Sequence, residues 1–417
     1  MTLASSACTV DRVVATARGA DAGQRDAGPD ELTLEREWGV FAETLPLPPC
    51  VDGGVLLVNT VADELQGGST LSTLAEAGPT LSFREALFLA QNSPGPHRIH
   101  FDPAVFPPNA AATIHVIDGA LRFPGSLVAT CIDARGRGVI VAFDFAQTCD
   151  LCTWHMGAGS QMSGMVLKGN MGKLGVGSAV IAGNRFMISY QALQIADGAV
   201  IGPWNVFGHG AYGVRLDFYF ANTPARIEGN YFGVEPTTRA DLGLTVGISL
   251  FQRARVSDNV SNSTLQISGA PGGTITQNQL LRLGGYPLLT VQGEGWVVSQ
   301  NRLEGGANNF LGLGPNGNSF SSNIIEGSFN SDGKGAPPTD AGVGSISGTC
   351  PEAGTVEVLI RSGTTWAPMG TGSCLGATWS ATSPQLTAGV EASTLFTPAL
   401  TRHTGPLSPS LQVPGTP

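Results

Sequence analysis

The chain has 417 residues, rich in glycine (57) and proline (27) but with only 13% charged and 7% aromatic residues, a composition that suits a turn-rich all-β architecture. A formal net charge of -10 argues against binding nucleic acid through its phosphates, which needs clustered Lys and Arg, and no such cluster occurs. No run of 18 or more apolar residues is present, so no segment reads as a membrane-spanning helix.

Residues 1–46 read as a disordered leader and spacer. Met1 to Ala7 is too short for the apolar core of a secretory signal, yet Ala4-Ser5-Ser6-Ala7-Cys8 resembles the end of a bacterial lipoprotein signal, with Ser5 where Leu is favoured. That resemblance implies a lipid anchor at Cys8; the alternative is an ordinary N-terminus with a chance cysteine. Asp21 to Glu31 has few apolar groups to bury and fits a spacer. The seven cysteines point to an oxidising, extracellular location. Cys350 and Cys374 most simply bridge each other, whereas Cys50, Cys131, Cys149 and Cys152 allow three connectivities. Cys149-x-x-Cys152 as a redox motif or half a zinc site lacks a second close pair and a βαβ context.

From Val55 to Val58 the chain is extended, and Thr80 to Asn92 then reads as the one helix of the sequence. Ser82 and Glu85 have capping-box spacing, Phe83, Ala86, Leu87 and Ala90 form an apolar stripe, and Pro94-Gly95 ends it. Placed ahead of a repeat array, this helix is expected to cover the array's open end.

The array occupies the middle of the chain. Ala225 to Phe232 (ARIEGNYF) is one copy of a phrase repeated at Ala179, Val200, Ala254, Gly273, Trp296 and Asn318. Each copy holds one asparagine: Asn184, Asn205, Asn230, Asn259, Asn278, Asn301 and Asn323, separated by 21, 25, 29, 19, 23 and 22 residues. A drifting period of about 23 with short β-prone runs indicates a coiling β-solenoid, which grows in one dimension and escapes the size limit of a compact core. The residues three before the asparagine (Ile181, Ile227, Val256, Ile275, Val298, Phe320) and two after it (Phe186, Phe207, Phe232, Leu280, Leu303, Ile325) should face inward. The asparagines should form a hydrogen-bonded ladder up the corner, with coils ~4.8 Å apart.

A second strand follows each corner as an apolar-x-apolar triplet. Its middle residues, Gln194, Arg215, Ser249, Gln266 and Thr290, should line one outward face, with Asp217, Phe251, Ser268 and Gln292 in the next outward row. This polar, mostly uncharged face suits a hydroxyl-rich ligand such as a glycan; it equally suits a solvated sheet without a ligand.

Two stretches carry a family resemblance. Leu81 to Asn92, with Arg98 to Asp102, Thr113 to Val116 and Val128 to Val141, resembles the entry region of secreted bacterial parallel β-helix proteins and their Leu-Arg-Glu-Ala-Ile signature, with Phe83 in place of the usual Leu. Ile227 to Leu250 is similar to a repeat of the same proteins in which Gly-Asn-Tyr-Ile-Gly-Thr-Asp leads through a loop to Gly-Ile. The resemblance implies a right-handed, pectin-lyase-like parallel β-helix over residues 47–330, capped by the N-terminal helix.

Residues 331–341 read as a linker by composition. Beyond it, Ser345 to Gly348, Thr355 to Ile360, Ala377 to Ser380 and Ser393 to Phe396 are short alternating strands, so 342–417 is expected to be a small β-sandwich and tail resembling the immunoglobulin-like modules of bacterial surface proteins.

Because pectin-degrading enzymes share the solenoid, catalysis is an alternative. Gly208-His209-Gly210 looks like the Gly-His-Gly of polygalacturonases, but the accompanying Asn-Thr-Asp and Asp-Asp motifs are missing and Asp197 and Asp217 are isolated. A lyase would use Arg215 near Asp217, with Arg253 one coil on, and calcium as a possible cofactor, although no acidic calcium cluster accompanies them. The expectation is therefore an exported, monomeric, non-catalytic surface protein that binds a polysaccharide or cell-surface glycan without a metal. The alternative is a polysaccharide lyase or glycoside hydrolase acting on an acidic polysaccharide through Arg215, Asp217 and His209.

Overall fold

In the computed structural model, which describes residues 31–414 apart from 51, 67, 117–126, 128, 145–154, 172, 197, 217–222, 269–271, 282–288, 305–310, 314–317, 327–337, 343, 363–364, 375–376 and 399–409, three long sheets run side by side. Sheet A has eleven strands, from Gly54–Val58 to Ser319–Ser321; sheet C has eight, from His155–Met156 to Leu311–Leu313. Sheet B has fourteen, of which those from Ala112–Val116 to Ile324–Glu326 pair in parallel. The chain visits A, B and C in turn and pairs each strand with its counterpart one coil earlier, as Val180–Ile181, Arg185–Ile188 and Gln191–Ile195 pair with Val200–Ile201, Val206–Gly208 and Gly210–Leu216. This is the arrangement of a parallel β-helix.

The repeated phrase builds the corner between sheets A and B. Ile181, Ile227, Val256, Ile275, Val298 and Phe320 are fully buried on one side of it, and Phe186, Phe207, Phe232 and Leu280 on the other. Phe186, Phe207 and Phe232 stack with centroids 5.0 and 4.8 Å apart. All seven asparagines are buried, and each side-chain oxygen from Asn205 onward accepts from the backbone N–H and the amide of the asparagine one coil before, at 2.8 to 3.3 Å. Each amide also donates to a carbonyl of the preceding coil, as Asn230 does to Ile201 at 2.9 Å.

The residue before each asparagine is left-handed, whether glycine (Gly183, Gly229) or not (Trp204, Asp258, Gln277, Gln300, Ser322). From Gly183 to Gln300 its N–H donates to a carbonyl of the next coil, as Trp204 does to Gly229 at 2.8 Å and Gly229 does to Ser257 at 3.0 Å. The unfavourable conformation, ~1 to 2 kcal/mol for a residue with a side chain, recurs coil after coil because the ladder satisfies the backbone groups that it turns.

Helix α1 spans Glu31–Glu43, helix α2 Leu74–Ala77 and helix α3 Phe83–Asn92. The capping box of α3 is present, and its residues Phe83 and Ala86 to Ala90 belong to the same apolar cluster as the solenoid interior. Phe83 lies 5.7 Å from Phe101, ring centre to ring centre.

The structure corrects the reading of residues 1–46 as a spacer throughout and of α3 as the one helix. From Glu31 the chain is helical and attached to the solenoid. Trp38 is buried against Ile140, Val166 and Met187 on the outer face of sheet B, its indole N–H donates to the Gly183 carbonyl at 3.0 Å, and Lys168 pairs with Glu35 at 2.9 Å. Gly39 permits the close approach: a Cβ there would sit 1.7 Å from the Arg137 carbonyl oxygen. The segment then rounds the asparagine corner, packing Leu47 on Gly183, and ends on sheet A at the Cys50–Cys131 disulfide. The lipid anchor expected at Cys8 and residues 1–30, together with Cys149 and Cys152, lie outside the described residues.

The second correction concerns the C-terminal module. The linker expected over 331–341 is a strand at its end, where Pro338–Gly342 pairs with Ser345–Thr349; residues 331–337 lie outside the described residues. Two antiparallel layers share a core of Ala341, Ile346, Val356, Val358, Trp379, Ala392 and Val413, closed by the expected Cys350–Cys374 disulfide. The module is docked. Strand Thr365–Cys374 pairs antiparallel with Ile324–Glu326 and so extends sheet B, while Leu359, Trp366 and Leu395 join the solenoid's apolar cluster.

Candidate functional site

Two of the three outer faces carry attachments. Helix α1 lies on sheet B, and the segment through Leu47, Pro48 and Cys50 holds sheet A, where Gln161 donates to the Pro48 carbonyl at 2.7 Å. Further along sheet A, Glu228 pairs with both Arg226 and Arg255. Sheet C carries neither attachment.

On sheet C the predicted row forms. Register pairs run Gln194 to Arg215 to Ser249 to Gln266 to Thr290, and the same file continues to Gly175 and His155 at one end and Gly312 at the other. The flanking residues Leu193, Ile195, Val214, Leu216, Ile248, Leu250, Leu265, Ile267, Leu289 and Val291 are buried, so alternation turns the row outward. Gln194, Arg215, Gln266 and Thr290 are half-buried by their neighbours, and Ser249 is buried between Arg215 and Gln266. With coils ~4.8 Å apart, the row offers an amide, a guanidinium, a hydroxyl, an amide and a hydroxyl at regular intervals along the solenoid axis.

Arg215 is held between aromatic rings: its guanidinium carbon lies 5.5 Å from the Tyr212 centroid and 5.7 Å from that of Phe251. Tyr190 meets Tyr212 edge to face at 6.1 Å and is exposed. Phe251 was expected in the outward row beside Arg215; Tyr190 and Tyr212 were not. Their signal was an aromatic shortly before the triplets Leu193-Gln194-Ile195 and Val214-Arg215-Leu216, at offsets that differ by one residue and so escape a fixed-period search. His155 is the other addition. Its ring lies across Gly175, where a Cβ would come within 2.0 Å of Nδ1, and burial with the nearby Lys173 charge pushes its pKa below the usual value.

His209 and Arg215 lie apart on the coil. His209 is exposed and left-handed at the corner between sheets B and C, with its N–H donating to the Leu242 carbonyl at 2.7 Å. The extended strand Gly210–Leu216 separates it from Arg215, a distance of ~20 Å at ~3.3 Å per residue. Asp217 and Asp197 lie outside the described residues. Among the described residues no group of three or more His, Cys, Asp or Glu side chains is placed to hold a metal ion, and no helix is long and apolar enough to cross a membrane.

Chemically, this face can form hydrogen bonds through amides and hydroxyls, attract an anion at Arg215, and stack apolar ring faces on Tyr190, Tyr212 and Phe251. The chain matches no family model, no curated protein and no solved structure.

Proposed function

We propose that this protein is an exported bacterial surface element that binds a glycan along the outer face of sheet C without turning it over. One observation carries the reading: five polar residues stand in a single file across five coils, and the one cation among them is clasped by two aromatic rings. A linear polysaccharide lying along the axis would meet one polar group at each of these five coils. The aromatics add apolar contact at low entropic cost. In this reading the chain belongs with the secreted right-handed parallel β-helix proteins it resembles, with α3 as the lid of the first coils and the C-terminal sandwich as an immunoglobulin-like end module. The two disulfides fit an oxidising compartment.

The test is a binding screen against neutral and acidic polysaccharides with wild type, Tyr212→Ala and Gln266→Ala. Wild type should bind at least one polymer, and Tyr212→Ala should weaken it about tenfold or more, in line with ~1 to 3 kcal/mol per stacked ring. No binding to any polymer, or unchanged affinity in both variants, sinks the proposal. Release of unsaturated or reducing ends that disappears in Asp217→Asn would replace it with the lyase or hydrolase reading.

A further inference from the structure

The last coil ends on a side chain where every earlier coil ends on a backbone carbonyl. Gln300, one coil earlier, donates its N–H to the Ser321 carbonyl at 3.3 Å; among the described residues no coil follows Ser322, and its N–H goes to Oε1 of Glu357 in the C-terminal sandwich. Glu357 sits on strand Gly354–Ser362, whose Val356 and Val358 fill the sandwich core while Glu357 and Leu359 turn the other way, onto the solenoid. It is only 5% exposed, and its Oε2 has no hydrogen-bond partner.

We propose that the sandwich is a proton-controlled plug on the solenoid end: it seats firmly when the Glu357 carboxyl is neutral and loosens when that group ionises. An ionised carboxylate in this position would be buried with one oxygen bonded and the other bare, a costly state unless a cation is near. Among the described residues none is. Arg361, four residues along the same strand, pairs with Glu391 of strand Glu391–Pro398 at 3.0 Å. Strands Thr365–Cys374 and Ser319–Ser321 contain no Lys, Arg, His, Asp or Glu, and Arg302 of the preceding coil pairs with Glu304. Strand Ile324–Glu326 has no Lys, Arg or His in its sequence. Burial pushes the Glu357 carboxyl up to about 7, against the opposing pull of the Ser322 N–H.

The direction follows from that raised value. Below its ordinary value of 4.5 the group is neutral whether the plug is seated or not, and the seated state is fully favoured. As pH rises through about 7 the seated state must lose its proton, and the advantage is lost. The seat is therefore tight in mildly acidic surroundings and loose in alkaline ones.

Hydrogen exchange on the full chain, corrected for intrinsic rates, tests this. The opening constant of Ser319–Glu326 and Thr365–Cys374 should rise on the order of 30-fold between pH 5.5 and 8.5 in wild type and stay within about twofold in Glu357→Gln. Strand Ala225–Glu228 serves as the internal reference. A wild-type opening constant that is flat with pH, or the same slope in Glu357→Gln, overturns the proposal. Should that variant fail to fold, carboxyl NMR of the wild-type Glu357 decides: titration near 7 supports the plug, and titration near the ordinary glutamate value refutes it.

Discussion

The elements packed against the first and last coils of the solenoid meet it with different chemistry. At the entry end the buried charges of α3 are matched: the Arg84 guanidinium engages both oxygens of Asp63, and Glu85 accepts from the backbone N–H of Ser82 at 2.9 Å and of Gln66 at 2.8 Å. At the exit end Glu357 has one oxygen filled and one empty. Both sets of contacts also bury aromatic and aliphatic side chains, Phe83 and Leu87 near the first coils and Leu359 and Trp366 near the last. The difference lies in polar satisfaction. A fully paired network leaves no buried charge wanting a partner, whereas the half-paired Glu357 makes the seating of the C-terminal module, as proposed above, conditional on a proton.

Breaking the matched end should have the largest effect. Arg84→Leu leaves Asp63 at a buried site without its cation and should cost ~3 to 5 kcal/mol in urea unfolding. The double variant with Asp63→Leu should recover much of that loss, and no recovery would mean that the pair is not acting as a unit. Next comes the shaft between the ends. Asn230→Leu removes the acceptor for the Asn205 N–H and amide and the donor to Ile201 and Glu228, so a loss of about 3 kcal/mol is expected, read as a lower denaturation midpoint; an unchanged midpoint would argue against a continuous ladder.

Trp366→Ala should be milder for the whole molecule. It creates a void between sandwich and last coil worth ~3 kcal/mol locally, seen as faster exchange in Ser319–Glu326 with the entry end unaffected. If exchange near α3 rises as well, the ends are coupled and the contrast drawn above fails. The smallest effect is expected at the N-terminal strap. Replacing Cys50 and Cys131 by Ser should leave the coils intact and loosen only the attachment through Trp38, detected as protease cleavage after Arg36.

The ladder was legible because its chemistry is local. One asparagine between two inward apolar residues recurs at every corner, and the register pairs align the triplets that the sequence aligns. Helix α1 was not. Its ELTLEREWGVFAE run carries a short helical stripe of Leu34, Trp38, Phe41 and Ala42 that went unread, and what holds it lies about a hundred or more residues away, at Arg137, Ile140, Val166, Lys168 and Gly183. Strand Thr365–Cys374 was hidden by Pro368, Gly370 and Gly372, poor strand formers tolerated where the strand bulges. At the candidate site the outward row was read correctly from alternation, but the aromatic clasp of Arg215 was half missed. The strand from Gly210 faces Gly213 toward Phe232 and Leu244 and so breaks the simple alternation ahead of Val214.

The asparagine ladder has a further consequence, for length. Every rung is chemically the same, and every rung donates forward to the one made after it. A coil added or removed as a unit therefore meets the same partners above and below, and neither closure senses the change. Such an edit would lengthen or shorten the row on sheet C by one residue, ~4.8 Å, while Arg84 and Glu357 kept their own surroundings. Duplication of a single repeat thus gives this protein a way to evolve reach without evolving a new fold.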